Sequence, residues 1–94
     1  MKNCWMHKPL ILHLLKTPMY GYKLKQALEE LGYPIGDGTL YPLLHGMERA
    51  GLLQTWLRTR NGRARKYYEI TFEGIRVWDV AVDEIKTILK KVTA

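Results

Sequence analysis

The dipeptide Asn61-Gly62 constrains the fold of this chain more than any other feature of its sequence. It separates two segments rich in β-forming residues, 53–58 and 63–70. Asn-Gly is the strongest short signal for a two-residue hairpin, because both central positions of a type I′ turn need positive φ. The turn also fixes the strand register, with the opposite pairs Arg60–Arg63, Arg58–Arg65, Trp56–Tyr67 and Leu53–Ile70.

The predicted hairpin has two different faces. Leu53, Ile70, Leu57 and Tyr68 fall on one face, which we expect to cover helices. The other face carries arginines around an aromatic pair. Like charges that face each other across two strands disfavour folding, so this face indicates an anionic partner.

Three helices are predicted before the hairpin. Residues 9–16 form an apolar first helix with Pro9 in its first turn. Residues 20–31 have apolar side chains at helical spacing, and Gly32 follows where a left-handed cap is wanted. A third helix begins between residues 37 and 39 and ends near residue 50, with Pro42 near its first turn. Two helices joined by a short turn that contains glycine form a helix-turn-helix.

A fourth helix is predicted over residues 72–92, with Thr71 as its N-cap. Its apolar residues have the 3, 4, 3, 4, 3 spacing of a heptad seam, and a second stripe runs beside it. Two stripes favour a second subunit, although a single wide stripe buried in a monomer is the alternative. With one cysteine, Cys4, this chain of 94 residues forms no intrachain disulfide, so oligomerisation is the remaining aid to stability. The predicted dimer seam is Ile75, Trp78, Val82, Ile85, Leu89 and Val92.

The positive charge of the chain is concentrated in the hairpin. The net charge is +6, and residues 58–66 contain five basic residues and no acid. Such a patch is typical of nucleic-acid binding, whereas a solvated loop is the plainer alternative. A helix-turn-helix followed by a basic hairpin is a winged helix, whose third helix enters the major groove. The hairpin tip, Arg60 and Arg63, then reaches phosphates or the minor groove, and Arg58, Arg65 and Lys66 contact phosphates.

Catalysis and membrane insertion are not expected. The chain contains no serine, and no pair of carboxylates shares an apolar face. No metal-ligand cluster or phosphate-binding glycine motif stands out, so we expect no cofactor. No apolar run reaches about 18 residues, and no signal peptide is evident. The sequence therefore predicts a cytoplasmic protein that is not an enzyme.

Three segments resemble the PadR family of bacterial and archaeal transcriptional regulators. They are PMYGYKLKQALEELG, GTLYPLLHGMERAGLL and GRARKYYEITFEG, and the resemblance covers roughly residues 9–75. It implies a dimeric winged-helix repressor of the short subgroup, often responsive to small phenolic or drug-like ligands. It also implies that Gly21 and Pro42 are structural. Tyr22 is then a packing residue or a phosphate contact, and Tyr41 a core-edge residue or a DNA contact.

Together these features predict a mainly α fold with a small β-hairpin, a winged helix-turn-helix followed by a C-terminal dimerisation helix. Residues 1–70 form the DNA-binding part and residues 71–94 the dimerisation helix of the same compact unit. The expected partners are double-stranded DNA, a second copy of the chain, and a planar aromatic effector bound near Trp5 and Trp78. The alternative is a winged helix used only for protein–protein contact. The predicted DNA-binding residues are Lys23, Gln26, Thr39, Tyr41, His45, Arg49, Arg58, Arg60, Arg63, Arg65 and Lys66.

Overall fold

A computed structural model describes residues 4–94, so the first three residues of the predicted DNA-binding part lie outside the described residues. Four helices and three strands follow a short 3-10 turn at Cys4–Met6. In chain order they are α1 (His7–Leu14), β1 (Met19–Tyr20), α2 (Gly21–Glu30), α3 (Asp37–Arg49), β2 (Leu53–Arg60), β3 (Arg63–Ile70) and α4 (Phe72–Thr93).

The core lies between α1, α2, α3 and the base of the sheet. The helices contribute apolar side chains at i, i+3 and i+4 spacing, so each presents one stripe to the centre. The mainly helical fold with a small antiparallel sheet is as predicted. The fully buried side chains are Ile11, Leu12, Leu15, Leu24, Leu28, Leu40 and Leu44.

Glycine ends α2 and α3 in the same way. Gly32 and Gly51 have φ of +86° and +80°, the left-handed conformation that closes a Schellman motif. The amide of Tyr33 donates to the Leu28 carbonyl over 2.9 Å, and the amide of Leu52 donates to the Met47 carbonyl over 2.9 Å. The predicted cap at Gly32 is confirmed.

Pro42 lies further inside α3 than predicted. The helix begins at Asp37, which places the proline in the second turn instead of the first. Its missing N–H would otherwise bond the carbonyl of Gly38, four residues back. The helix nevertheless continues to Arg49, because Leu40, Leu44 and Met47 hold its inner face in the core.

The hairpin has the predicted register. Asn61 and Gly62 have φ of 53° and 74°, and β2 pairs with β3 as the turn requires. The sequence did not predict β1, a two-residue strand that pairs antiparallel with the other edge of β3. The strand order is therefore β1-β3-β2, with β3 in the centre.

One predicted core position in the hairpin is wrong. Leu57 was expected to cover the helices with Tyr68, but it is 73% exposed and lies opposite Lys66. Leu53, Tyr68 and Ile70 are buried at the base of the same face. The hairpin extends beyond the helices, so its outer half has no core to cover.

Helix α4 begins as predicted and then leaves the core. The Thr71 hydroxyl accepts from the amide of Gly74 over 3.1 Å, which is an N-cap. Trp78 packs against the core, whereas Leu89 and Val92 are 55% and 75% exposed. Residues 4–94 therefore leave the end of the predicted seam largely exposed. In residues 4–94, no helix is both long enough and apolar enough to cross a membrane.

A pair of glycine substitutions tests how α4 is seated. A Cβ on Gly74 would meet the Leu52 carbonyl oxygen and would lie 2.6 Å from the Ile70 side chain. Gly74→Ala should therefore lower the free energy of unfolding by about 1–3 kcal/mol, as overpacking does. The matched control is Gly46→Ala, where a Cβ meets nothing within 4 Å inside α3. It should raise that free energy by about 0.5–1 kcal/mol. Urea unfolding measures both, and equal stability of the two variants would contradict this packing.

Candidate nucleic-acid interface

The outer face of α3 is open to solvent along its length. Thr39, His45 and Arg49 are exposed there, opposite the buried Leu40 and Leu44. The arrangement follows from the helical period, which places residues 39, 42, 45 and 49 away from the core. This face carries few formal charges, so hydrogen bonding and shape would contribute much of any contact it makes with base edges.

Helix α2 presents its predicted residues beside that face. Lys23 and Gln26 are exposed, and the Gln26 amide donates to the Tyr22 hydroxyl over 3.4 Å. Lys25 instead pairs with Asp37 over 2.8 Å. The hydrogen bond to this carboxylate raises the pKa of Lys25 above its ordinary value, and the opposite charge of Asp37 adds to the effect. The pair links α2 to the start of α3.

The outer half of the hairpin, residues 57–66, forms the wing. Arg58, Arg60 and Arg63 are exposed in it, and Arg65 is half-buried. Three ion pairs occur among residues 4–94, and none includes any of these arginines. Their charge is therefore available to an anionic partner.

Aromatic rings stabilise the facing arginines. The Arg65 guanidinium carbon lies 4.3 Å from the centre of the Tyr20 ring, and that of Arg58 lies 5.8 Å from the Tyr67 ring. Such cation–π contacts are worth roughly 0.5–1 kcal/mol at exposed sites. Tyr67 also stacks on Trp56, with ring centroids 6.1 Å apart, and meets Tyr20 edge to face at 5.6 Å. We call these three rings, Tyr20, Tyr67 and Trp56, the aromatic ladder.

A groove of about 510 Å³ lies between α2, α3 and the wing. Tyr22, Tyr41, Arg63 and Arg65 are among its lining residues. Tyr41 is half-buried because its ring lies over Gly21, where a Cβ would come within 2.5 Å of the hydroxyl oxygen. Tyr41 is thus packed at the core edge and also lines the groove, and its DNA contact stays a prediction.

Lys66 differs from the other wing cations because it has an acidic partner. Its ammonium lies 3.3 Å from a Glu48 carboxylate oxygen, and Thr55 donates to the other oxygen over 2.8 Å. The Thr55 hydrogen bond lowers the pKa of Glu48, and Lys66 lowers it further. Glu48 thereby joins the end of α3 to both strands of the hairpin, β2 and β3, which sequence reasoning missed.

The predicted effector residues lie away from the wing. Trp78 stacks on the His13 ring with centroids 5.7 Å apart, and the Lys16 ammonium lies 3.2 Å from the centre of the Trp78 ring. Trp5 is exposed. Trp78 therefore joins α4 to α1 within one chain, and its role in ligand binding stays a prediction.

Residues 4–94 contain no cluster of three or more histidine, cysteine or acidic side chains that could hold a metal ion. The ring of His7 is buried, and one of its nitrogens lies 3.3 Å from the Tyr33 carbonyl oxygen. His7 thus contacts the segment between α2 and α3, away from the open face of α3.

A helix-turn-helix, a strand beside it and a basic hairpin define a winged helix-turn-helix protein. Residues 11–79 match the Transcriptional regulator PadR-like family, and the chain belongs to that family. Members are transcriptional regulators and not enzymes, which confirms the prediction that this chain is no enzyme.

Individual relatives agree with this assignment. The chain is 40% identical over 65 residues to Transcriptional regulator Rv3488 of Mycobacterium tuberculosis, covering 69% of this chain. It spans 61% of the length of that relative. A PadR family transcriptional regulator from Eggerthella lenta has a similar structure, with a TM-score of 0.86 and 35% identity over 94% of this chain and 79% of the other. A PadR-like transcription factor from Bacteroides fragilis gives a TM-score of 0.85 and 31% identity over 95% and 88%.

The Glu48 contacts generate a prediction about acid stability. A carboxyl group whose pKa is lowered in the folded state stabilises the fold above its unfolded pKa, and this contribution is lost as pH falls through the folded pKa. Glu48→Gln should remove the contribution. Because the group is about one-third exposed, solvent screening limits the loss to about 1 kcal/mol or less. Thermal unfolding between pH 7 and pH 3 should show a smaller fall in midpoint for the variant. The control is Glu84→Gln on exposed α4, and identical pH profiles for both variants would contradict the prediction.

Proposed function

We propose that the protein is a homodimeric repressor that binds specific DNA sequences in the cytoplasm. Residues 1–70 bind the duplex and residues 71–94 join the two subunits. One observation carries the proposal: the wing presents unpaired arginines beside the open face of α3. Electrostatic attraction to phosphates supplies most of the affinity of such surfaces, and contacts to base edges supply sequence discrimination.

Each part of the interface has a separate task. The exposed face of α3, with Thr39, His45 and Arg49, enters the major groove. Arg60 and Arg63 at the wing tip reach the flanking backbone. Lys23 and Gln26 of α2 contact phosphates at the edge of the groove. Lys66 is partly neutralised by Glu48, so it contributes less than the arginines.

The uncovered end of α4 supports the homodimer. Ile88, Leu89 and Val92 are exposed apolar side chains on the last turns of the helix. A small domain with one cysteine gains stability most readily by burying such a surface against a second copy. Each fully buried aliphatic side chain is worth about 1.5–3 kcal/mol on area grounds.

The ligand response is proposed for the dimer as well. Trp78 lies where the predicted seam passes α1, and a tryptophan is large for a seam between two helices. Two such rings, one from each subunit, would line a space open to planar aromatic compounds, with Trp5 contributing to its wall. Packing on His13 and Lys16 is the competing role of Trp78, and it would make the residue structural.

The salt dependence of DNA binding tests the wing. If each subunit places three basic side chains on phosphates, log Kobs should fall with log salt with a slope of about −5. Substituting Arg60 and Arg63 with alanine should flatten the slope by about 3 to 4 units and weaken specific and random DNA alike. Fluorescence anisotropy on labelled duplexes measures the slope. The control double variant Lys86→Ala and Lys90→Ala removes the same charge from α4. An unchanged slope in the wing variant would exclude the wing from the DNA interface and leave the alternative that it contacts an acidic protein.

A charge in the exposed seam tests the dimer. Leu89→Asp should give a monomer at micromolar concentration, because burying a carboxylate in an apolar interface costs far more than the lost contact. Thr87→Asp, on another face of α4, should leave the dimer intact. Sedimentation velocity distinguishes the two states. The unfolding midpoint of the unmodified protein should also rise with its concentration. A dimeric Leu89→Asp variant would exclude the α4 seam.

A further inference from the structure

The wing and the exposed face of α3 can contact one duplex together only if the angle between them suits the duplex, and the Glu48 side chain joins α3 to the hairpin. We propose that Glu48 is a positioning residue that sets this angle, and that sequence discrimination by the DNA interface depends on it. Glu48 itself touches no DNA. The effect on discrimination rests on the proposed function, whereas the angle of the wing is measurable without DNA.

The hairpin needs a second attachment because its outer half extends beyond the helices. Its base is held in the core by the buried side chains of Leu53, Tyr68 and Ile70, whereas Leu57 is exposed. Strand β1 pairs with β3 only at Tyr67 and Tyr68, so the sheet has two strands from there to the tip. A two-stranded hairpin is marginally stable by itself. Held only at its base, the wing would therefore vary in its angle to α3.

Glu48 supplies the second attachment on both strands. Its carboxylate accepts from the Thr55 hydroxyl on β2 over 2.8 Å and from the Lys66 ammonium on β3 over 3.3 Å. Thr55 pairs with Tyr68 and Lys66 pairs with Leu57, so the two contacts occupy neighbouring cross-strand pairs on one face of the hairpin. The Lys66 ammonium also lies 5.4 Å from the centre of the buried Tyr68 ring. One carboxylate thus fixes both strands just outside the core.

The place of Glu48 in α3 connects the wing to the side chains that are proposed to read bases. Glu48 is the last residue but one of the helix and is followed by Arg49. His45 lies three residues before it, one helical turn away. Arg49 and His45 are both exposed. A force on the wing is therefore transmitted through Glu48 to the end of α3 that enters the major groove in the proposed complex.

A fixed angle favours specific binding over random binding. Contacts with base edges require α3 to lie in one register, whereas phosphate contacts carry no sequence information. If the wing were loose, ordering it while α3 holds that register would oppose binding. A random duplex imposes no register, so a loose wing can bind wherever phosphates lie. Loss of the attachment should therefore reduce discrimination more than it reduces the affinity for random DNA.

The negative charge of Glu48 offers a competing explanation, because it neutralises Lys66 and repels phosphates. The two explanations separate at Thr55, whose hydroxyl contributes a hydrogen bond and no charge. Thr55→Val removes this donor and keeps a β-branched side chain suited to a strand. Thr55→Ser retains the hydroxyl. The matched control is Thr59→Val, which removes an exposed hydroxyl from the same face of the same strand.

Discrimination is measured with two duplexes and the full chain. One duplex is selected from a random library with the unmodified protein, and the other has the same base composition in scrambled order. Fluorescence anisotropy well below the unfolding midpoint of each variant gives both Kd values. Thr55→Val should lower the ratio of scrambled to selected Kd at least about fivefold and change the scrambled Kd less than about twofold. Thr55→Ser and Thr59→Val should each leave the ratio within about twofold.

Residual dipolar couplings of backbone amides measure the angle without DNA. In the unmodified protein, the couplings of residues 57–66 and those of α3 should fit one alignment tensor, as expected of a rigid body. In Thr55→Val, residues 57–66 should show reduced couplings that no longer fit the tensor of α3. Thr59→Val should match the unmodified protein. A single shared tensor in Thr55→Val would overturn the positioning role.

The DNA measurements distinguish failure of this inference from failure of the proposed function. An unmodified protein that binds the two duplexes alike would overturn the proposed function and the effect on discrimination, while the couplings would still decide whether Glu48 sets the angle. An unmodified protein that discriminates, with an unchanged ratio in Thr55→Val, would overturn the inference alone. If Glu48→Gln then strengthened binding to both duplexes equally, Glu48 would act through its charge only.

Discussion

The junction of β3 and α4, at Ile70 and Thr71, holds the parts of this fold together. The amide of Ile70 donates to the Leu15 carbonyl just after α1, and the amide of Thr71 donates to the carbonyl of Leu52 after α3. The Thr71 hydroxyl donates to the Gly51 carbonyl over 2.6 Å while it caps α4 through Gly74. Buried backbone groups need partners, and here the partners come from three separate elements. The positions of the wing, the helix-turn-helix and α4 relative to one another are therefore fixed by hydrogen bonds at this one junction.

The wing shows how a fold tolerates repulsion between like charges that the proposed DNA binding would use. Cations face each other across β2 and β3, which alone would destabilise the hairpin. The aromatic ladder offsets this because Tyr20 and Tyr67 lie under the charges of Arg65 and Arg58. Tyr20 comes from β1, so a strand of two residues stabilises the part of the sheet that carries Arg65. Stacking on the ring faces offsets the repulsion between Arg58 and Arg65 and leaves their N–H groups able to donate to a partner. Salt bridges within the fold would have occupied those donors.

Local signals made much of the fold predictable. Asn61-Gly62 determined a register of eight residue pairs, and Gly32 and Thr71 marked helix boundaries correctly. Strand β1 was missed because two residues carry no periodicity, and its pairing partner lies far along the chain. The exposure of Leu57 was also missed. The alternation of side chains along a strand predicts which face of the sheet a residue lies on, but it does not predict how far the helices extend beneath that face. In the candidate site, the pattern placed the wing cations but could not reveal that Glu48 holds Lys66.

One residue separates the last residue of β3 from the first residue of α4. A connection that short, capped and hydrogen-bonded on both sides, leaves little freedom for a hinge. Helix α4 is 22 residues long, about 33 Å at 1.5 Å per residue. In the proposed dimer, the angle between the two α4 helices would set the distance between the two wings. The spacing between operator half-sites would then be encoded in how α4 packs, and a slight tilt of that helix would take both wings out of phase with the duplex.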